Sequence, residues 1–240
     1  MPHYVAATPQ TVSKLMANSD DNSNSPGSSR LMKAVETVAI TPEDAKHMVE
    51  QYREQSKEKN PDWDSHKRQE AIADKIVKRY AKMTGLLGGT TALVGVIPGL
   101  GTAVAVAGGA STDVVVSMKF QVDMCMCLAE TFGYDVSNED AKHLAFLIAA
   151  GASVEQAGVE GAVNIGSKAG VKILKQQLKG ATLKAVKEAF KKVGITFTRK
   201  SVEKAIPFGV GVVIGSSANY ALARYVGSEA TEWFMIDRDN

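Results

Sequence analysis

Asp113, Ser117 and Gln121 recur at four-residue intervals, which places them along one stripe of a helix. Val116 and Phe120 flank that stripe on one side, Val114 and Leu128 on the other, so the sequence predicts a buried polar stripe. A carboxylate between apolar flanks must be paired, hydrogen-bonded or neutral, because an isolated buried charge is too costly. Such a stripe could handle a proton or cation inside a helical bundle. The plainer reading, preferred here, is a structural network in which Asp113 bonds a helix terminus or the neighbourhood of Ser117. Lys119, Asp123 and Glu130 fall on a different face, which reads as the solvated one.

No other set of residues suggests catalysis. The four histidines, His3, His47, His66 and His143, show no metal-ligand spacing with another His, Cys or acid, so no metal and no cofactor is expected. Gly99-x-Gly101 has neither a preceding strand nor a following Lys-Ser/Thr, which excludes a phosphate-binding loop and a dinucleotide fingerprint. Cys125 and Cys127 would point in nearly opposite directions on a helix and form neither a disulfide framework nor a C-x-x-C site. Free thiols suggest a reducing compartment, and Met1-Pro2-His3-Tyr4 shows no secretory signal. The expectation is a protein that is not an enzyme.

Charge is more informative. The formal net charge is only +2, yet residues 166–204 hold eleven Lys and Arg against Glu188 and Glu203, leaving the remainder acidic. Lys168, Lys172, Lys175 and Lys179 run down one helical face, opposite Val171, Leu174 and Leu178. The next segment repeats the plan, with Lys184, Lys187 and Lys191 against Leu183, Val186, Phe190 and Val193. Basic amphipathic helices bind anionic membrane surfaces at about 1 kcal/mol per lysine. Little aromatic interleaving and no reader motif argue against nucleic acid.

Between Lys82 and Asp113 the chain runs 30 residues without a charge and spends eight of them on glycine. Glycine costs a helix interior about 1 kcal/mol relative to alanine, but it lets two backbones approach closely in small-xxx-small packing. Gly85/Gly89 and Gly95/Gly99 fit that spacing, as do Gly211/Gly215 further on. Pro98 divides the run into two arms of about 14 residues, each reaching roughly 21 Å against a hydrocarbon core of about 30 Å. A helical hairpin is therefore favoured over one spanning helix.

These features need helices to position them. Residues 1–30 are Asn- and Ser-rich and read as a disordered tail. Thr41-Pro42-Glu43-Asp44 caps a helix to about Lys59, and a second helix begins near Ser65. The second glycine-rich arm is expected to continue as a helix over 102–132. Ser137-Asn138-Glu139-Asp140 caps another over 138–150, with Ser153 the cap of a weak segment to 166. The basic helices occupy 167–179 and 181–193, and Pro207 opens a last apolar element to 226. No segment alternates as a strand. The fold class is all-α: one helical domain over 31–240.

Several punctuation marks together resemble the EcsC family, a group of mostly bacterial, all-helical proteins. They are Ile97-Pro98-Gly99-Leu100-Gly101, Asp113, Gln121, Phe132-Gly133-Tyr134-Asp135, Ile206-Pro207 with Gly211, Gly215 and Asn219, then Arg224, Val226-Gly227 and Trp233-Phe234. The likeness spans about 41–236 in order and leaves the first 30 residues outside. It implies a membrane-associated, all-α protein without agreed catalytic chemistry, and suggests a membrane-protein partner such as a transporter. The mean hydropathy is slightly negative, so most of the chain must face water.

The function expected is docking on anionic lipids at the cytoplasmic face of the inner membrane. The glycine-rich helices, including Gly85, Gly89, Gly95, Pro98, Gly99, Pro207, Gly211 and Gly215, would insert or pair. One alternative is a membrane-perturbing, pore-forming effector that forms a homo-oligomer through its glycine faces. Another is a soluble enzyme using Asp113 as acid or base.

Overall fold

The computed structural model describes residues 26–86, 97–107, 112–180, 182–203 and 216–239. Among the described residues there are nine helices and no strand, so the fold is all-α. Helix α1, Pro26–Val38, begins inside the segment expected to be a tail. Leu31, Ala34, Val35 and Val38 are buried at a helical repeat that starts where the Asn/Ser-rich stretch ends. The expected tail over 1–25 lies outside the described residues.

Helix α2, Pro42–Lys59, starts as its sequence dictates. Thr41 Oγ1 accepts from Asp44 N–H at 3.1 Å, and Pro42 needs no donor partner in the first turn. Helix α3, Ser65–Leu86, buries Ile72, Ala73, Ile76, Val77 and Tyr80. The glycine-rich arms are described only at their ends. Gly99 takes φ +78°, a left-handed conformation that suits glycine, and caps the short helix α4, Leu100–Val106. Among the described residues, a Cβ at Gly99 would meet Val38 Cγ1, at 3.8 Å. Gly99 thus turns the chain into α4, while Gly95, its expected partner at small-residue spacing, lies outside the described residues. Pro98 beside it is exposed. Gly85 is half-buried in α3, whereas Gly89, Gly95, Pro207, Gly211 and Gly215 lie outside the described residues.

The continuous helix expected over 102–132 is two. Helix α4 closes at Ala107, with Leu100, Ala103 and Ala107 buried, and packs against α1. Helix α5, Thr112–Thr131, is the centre of the fold and is contacted by α1, α2 and α3. Every residue from Phe120 to Ala129 is buried, as expected of a helix enclosed on all sides. Helix α6, Glu139–Gln156, packs beside it, capped by Asn138, whose side chain accepts from Asp140 N–H at 2.8 Å. Ser153 caps nothing: it sits buried within α6, whose apolar run carries through the expected boundary at 150.

Helix α7 is Lys168–Leu178, with Ser167 as its cap, and α8 is Thr182–Glu203, which continues beyond the expected end at 193. Helix α9, Ser216–Arg238, likewise runs past 226 and packs along α3 and across α5 and α6. A close approach between helices is made at Gly227. A Cβ there would lie 2.6 Å from Val77 Cγ1 and 3.1 Å from Met124 Sδ.

Enclosure of α5 reverses two expectations about its polar residues. Asp113 sits in the first turn, exposed, where a carboxylate complements the helix dipole. Of the proposed stripe, Ser117 is half-buried and Gln121 buried: Gln121 Nε2 donates to Ser117 Oγ at 3.0 Å, and Ser153 Oγ donates to Gln121 Oε1. The buried carboxylate is Asp123, 3% exposed, on the face expected to be solvated. It accepts from Ile40 N–H at 2.7 Å and from Lys119 Nζ at 2.5 Å, tying the α1–α2 connection to the core. Burial pushes its carboxyl above the usual range, with the Lys119 charge opposing that shift.

Candidate functional site

The basic face is built on α7 because Val171 and Leu174 are buried and turn the lysines outward. Lys168, Lys172, Lys175 and Lys179 are all exposed, and with Val171 and Gln176 they line a shallow depression of about 460 Å³. They are not equivalent. Lys175 forms an ion pair with Asp237 of α9, and the same carboxylate accepts from Tyr134 Oη. Burial, then the Asp237 hydrogen bond, raises the Tyr134 phenol above its ordinary value. Lys175 thus fastens α7 to the body. Lys168, Lys172 and Lys179 have no carboxylate within ion-pair distance among the described residues.

Tyr134 belongs to an aromatic clasp. Phe132 stacks on Phe234 at 5.7 Å between ring centroids, Tyr134 tilts against Phe234 at 5.3 Å, and Trp233 meets Phe234 edge-on at 5.1 Å. Gly133 turns the chain between its two aromatic neighbours with φ +93°. Two sequence motifs about a hundred residues apart are therefore one structural unit joining the end of α5 to α9.

Helix α8 carries the remaining lysines differently. Val186, Phe190 and Val193 are buried, but Leu183, expected on that apolar face, is 42% exposed. Lys187 and Lys191 are half-buried, while Lys184 is exposed. Lys184 borders a second cleft of about 320 Å³ between α6, α7 and α8. Lys192, Glu188 and Gln177 also line it, and sequence reading singled out none of them as site residues. The readable signal was the four-residue repeat Lys184, Glu188, Lys192 beside Ala185 and Ala189, whose short side chains leave room.

One wall of the cleft is the 157–167 connection, held by carboxylates. Glu155 accepts from Asn164 Nδ2 at 2.8 Å and Ile165 N–H at 3.1 Å, and Glu229 accepts from Gly166 N–H at 2.7 Å. Burial raises the Glu229 carboxyl, the Gly166 N–H opposes that shift, and the nearby charges of Glu155 and Glu232 add to it. Asp113 lines neither depression.

With this geometry in hand, the model of the EcsC protein family matches residues 5–236. The chain belongs to the EcsC protein family. The match takes in most of the N-terminal segment that the motif comparison left outside. No curated protein and no solved structure matches the chain significantly. Among the described residues no helix of this EcsC protein is long and apolar enough to cross a membrane.

Proposed function

We propose that this EcsC protein is non-catalytic and docks on anionic membrane surfaces, at the cytoplasmic leaflet, through the lysines of α7 and the start of α8. The observation that supports this reading is the exposure of Lys168, Lys172 and Lys179 on one face without carboxylate partners among the described residues. Lys184 extends the charge, and exposed Leu183 supplies an apolar contact beside it. Four such lysines would contribute about 4 kcal/mol near an anionic surface, close to three decades in affinity at low salt.

Insertion or pairing of the glycine-rich segments would follow docking. Leu100, Ala103 and Ala107 are buried against the body, so α4 would have to leave the core before entering a bilayer. Pore formation would require the same release. A transporter-like membrane partner and a homo-oligomer are compatible with this reading.

Sedimentation with neutral and anionic vesicles tests it. Binding is expected only to anionic vesicles, is expected to weaken toward 1 M salt through screening, and is expected to vanish in Lys168→Glu/Lys172→Glu/Lys179→Glu. Equal binding to neutral and anionic vesicles would sink the proposal.

A further inference from the structure

The cleft between α6, α7 and α8 differs in character from the lysine face beside it. Its inner surface is made by Leu147 and Val154 of α6, Ile165 of the 157–167 connection and Leu174 of α7. Leu147, Val154, Ile165 and Leu174 are all buried. Ala185 and Ala189 form the α8 side, where larger residues would fill the space. At about 320 Å³ the cleft is at the lower end of small-ligand sites, which are mostly apolar with a few placed polar groups.

The polar groups here are ordered by the helix. Lys184, Glu188 and Lys192 are successive residues of one α8 stripe, and Gln177 joins them from α7. None of the three charged residues is ion-paired among the described residues, although the two lysines are each four residues from Glu188. Two ammonium groups and one carboxylate leave a net positive edge on an apolar slot. A ligand that satisfies both parts has a hydrocarbon chain and an acidic head.

We propose that this cleft binds one acyl chain bearing an anionic head, a carboxylate or a phosphate, with the chain among Leu147, Val154 and Ile165 and the head between Lys184 and Lys192. This deepens the membrane reading by naming the lipid component that one molecule of protein would hold. It uses a different surface from the α7 lysines. The acidic head could belong to a free fatty acid or to a lipid still in the bilayer.

Calorimetric titration with dodecanoate below its micelle-forming concentration tests the proposal, with dodecylammonium as the control of equal chain and opposite charge. One dodecanoate should bind per chain, at least tenfold more tightly than dodecylammonium. Lys184→Gln/Lys192→Gln should weaken it about thirtyfold, consistent with about 1 kcal/mol for each of the two lysines. Glu188→Gln should strengthen it, and Ala185→Leu should block it by filling the slot. Circular dichroism of each variant confirms that the fold is kept.

A parallel arm uses anionic vesicles. Lys168→Gln/Lys172→Gln/Lys179→Gln should lose vesicle binding while still binding dodecanoate, and Ala185→Leu should do the reverse. If vesicle binding fails but dodecanoate binds, the docking reading falls and the cleft stands; if Ala185→Leu also abolishes vesicle binding, the lipid is taken from the bilayer through the cleft. Absence of saturable dodecanoate binding, equal binding of dodecylammonium, or undiminished binding by Ala185→Leu would overturn the proposal.

Discussion

Gly227→Ala is the smallest change that probes how α9 is seated on α3. In isolation it should help, since alanine is favoured over glycine in a helix interior by about 1 kcal/mol. Here the added methyl would lie 2.6 Å and 2.7 Å from the two γ-carbons of Val77, and 3.1 Å from Met124 Sδ. Val77 cannot rotate away easily, because a β-branched side chain in a helix has essentially one χ1 rotamer. Either rotation also leaves a methyl near the same spot. Relief therefore requires α9 to move off α3, and with all three contacts obstructed at once the overpacking cost falls in the upper half of its usual range, about 2–3 kcal/mol. After the propensity gain, a net loss of about 1–2 kcal/mol is expected.

For a chain of this length each kcal/mol corresponds to about 2–4 °C in Tm, so a drop of roughly 2–8 °C should be seen by calorimetry. Val77→Ala in the same background removes both obstructing methyls and should recover part of the loss. The double-mutant cycle should show a coupling of about 0.5–3 kcal/mol. If Gly227→Ala melts at or above the parent temperature, the close approach of these helices is not a constraint and the argument fails.

Asp123→Leu strands the Lys119 ammonium and the Ile40 N–H in the interior, and a loss of about 3–5 kcal/mol is expected in denaturant unfolding. Asp123→Asn keeps an acceptor for Ile40 and should lose less; equal losses for both would contradict the assigned partners. Glu229 has its folded pKa raised, mainly by burial, so its contribution is fully present below the unfolded value of 4.5 and is lost as pH rises through the folded value. Glu229→Gln, which can still accept from Gly166 N–H, should therefore raise Tm at pH 7 relative to the parent and narrow that gap toward pH 4.5. A Tm difference independent of pH would remove Glu229 from the account.

Much of the fold was legible because local chemistry specified it. The Thr41-Pro42 start of α2, the start of α6 within Ser137–Asp140, one residue later than expected and capped by Asn138, and the Ser167 start of the basic helix are decided by side chains within three residues of the backbone groups they serve. The all-α class followed from helical periodicity, and the motif order pointed to the EcsC family. The outward lysines of α7 were equally readable, since Val171 and Leu174 fix the face that turns inward.

What sequence could not decide was which helix would be surrounded. Asp113 and Asp123 lie ten residues apart on one helix, and their local patterns suggested burial for the first and water for the second. The structure reverses them because burial is set by what packs from elsewhere in the chain: α1, α2, α3, α6 and α9 converge on the middle of α5 and leave its first turn open. The same holds for Lys175, which looks like its neighbours until Asp237 is brought beside it. It holds again for the cleft, whose walls come from α6, α7, α8 and the 157–167 connection, and for Phe132 and Phe234, which become one stacked pair only when α9 returns to the end of α5. Caps and periodicity are properties of a few neighbouring residues; enclosure, ion pairing and cavities are properties of distant segments meeting, and only the folded chain determines them.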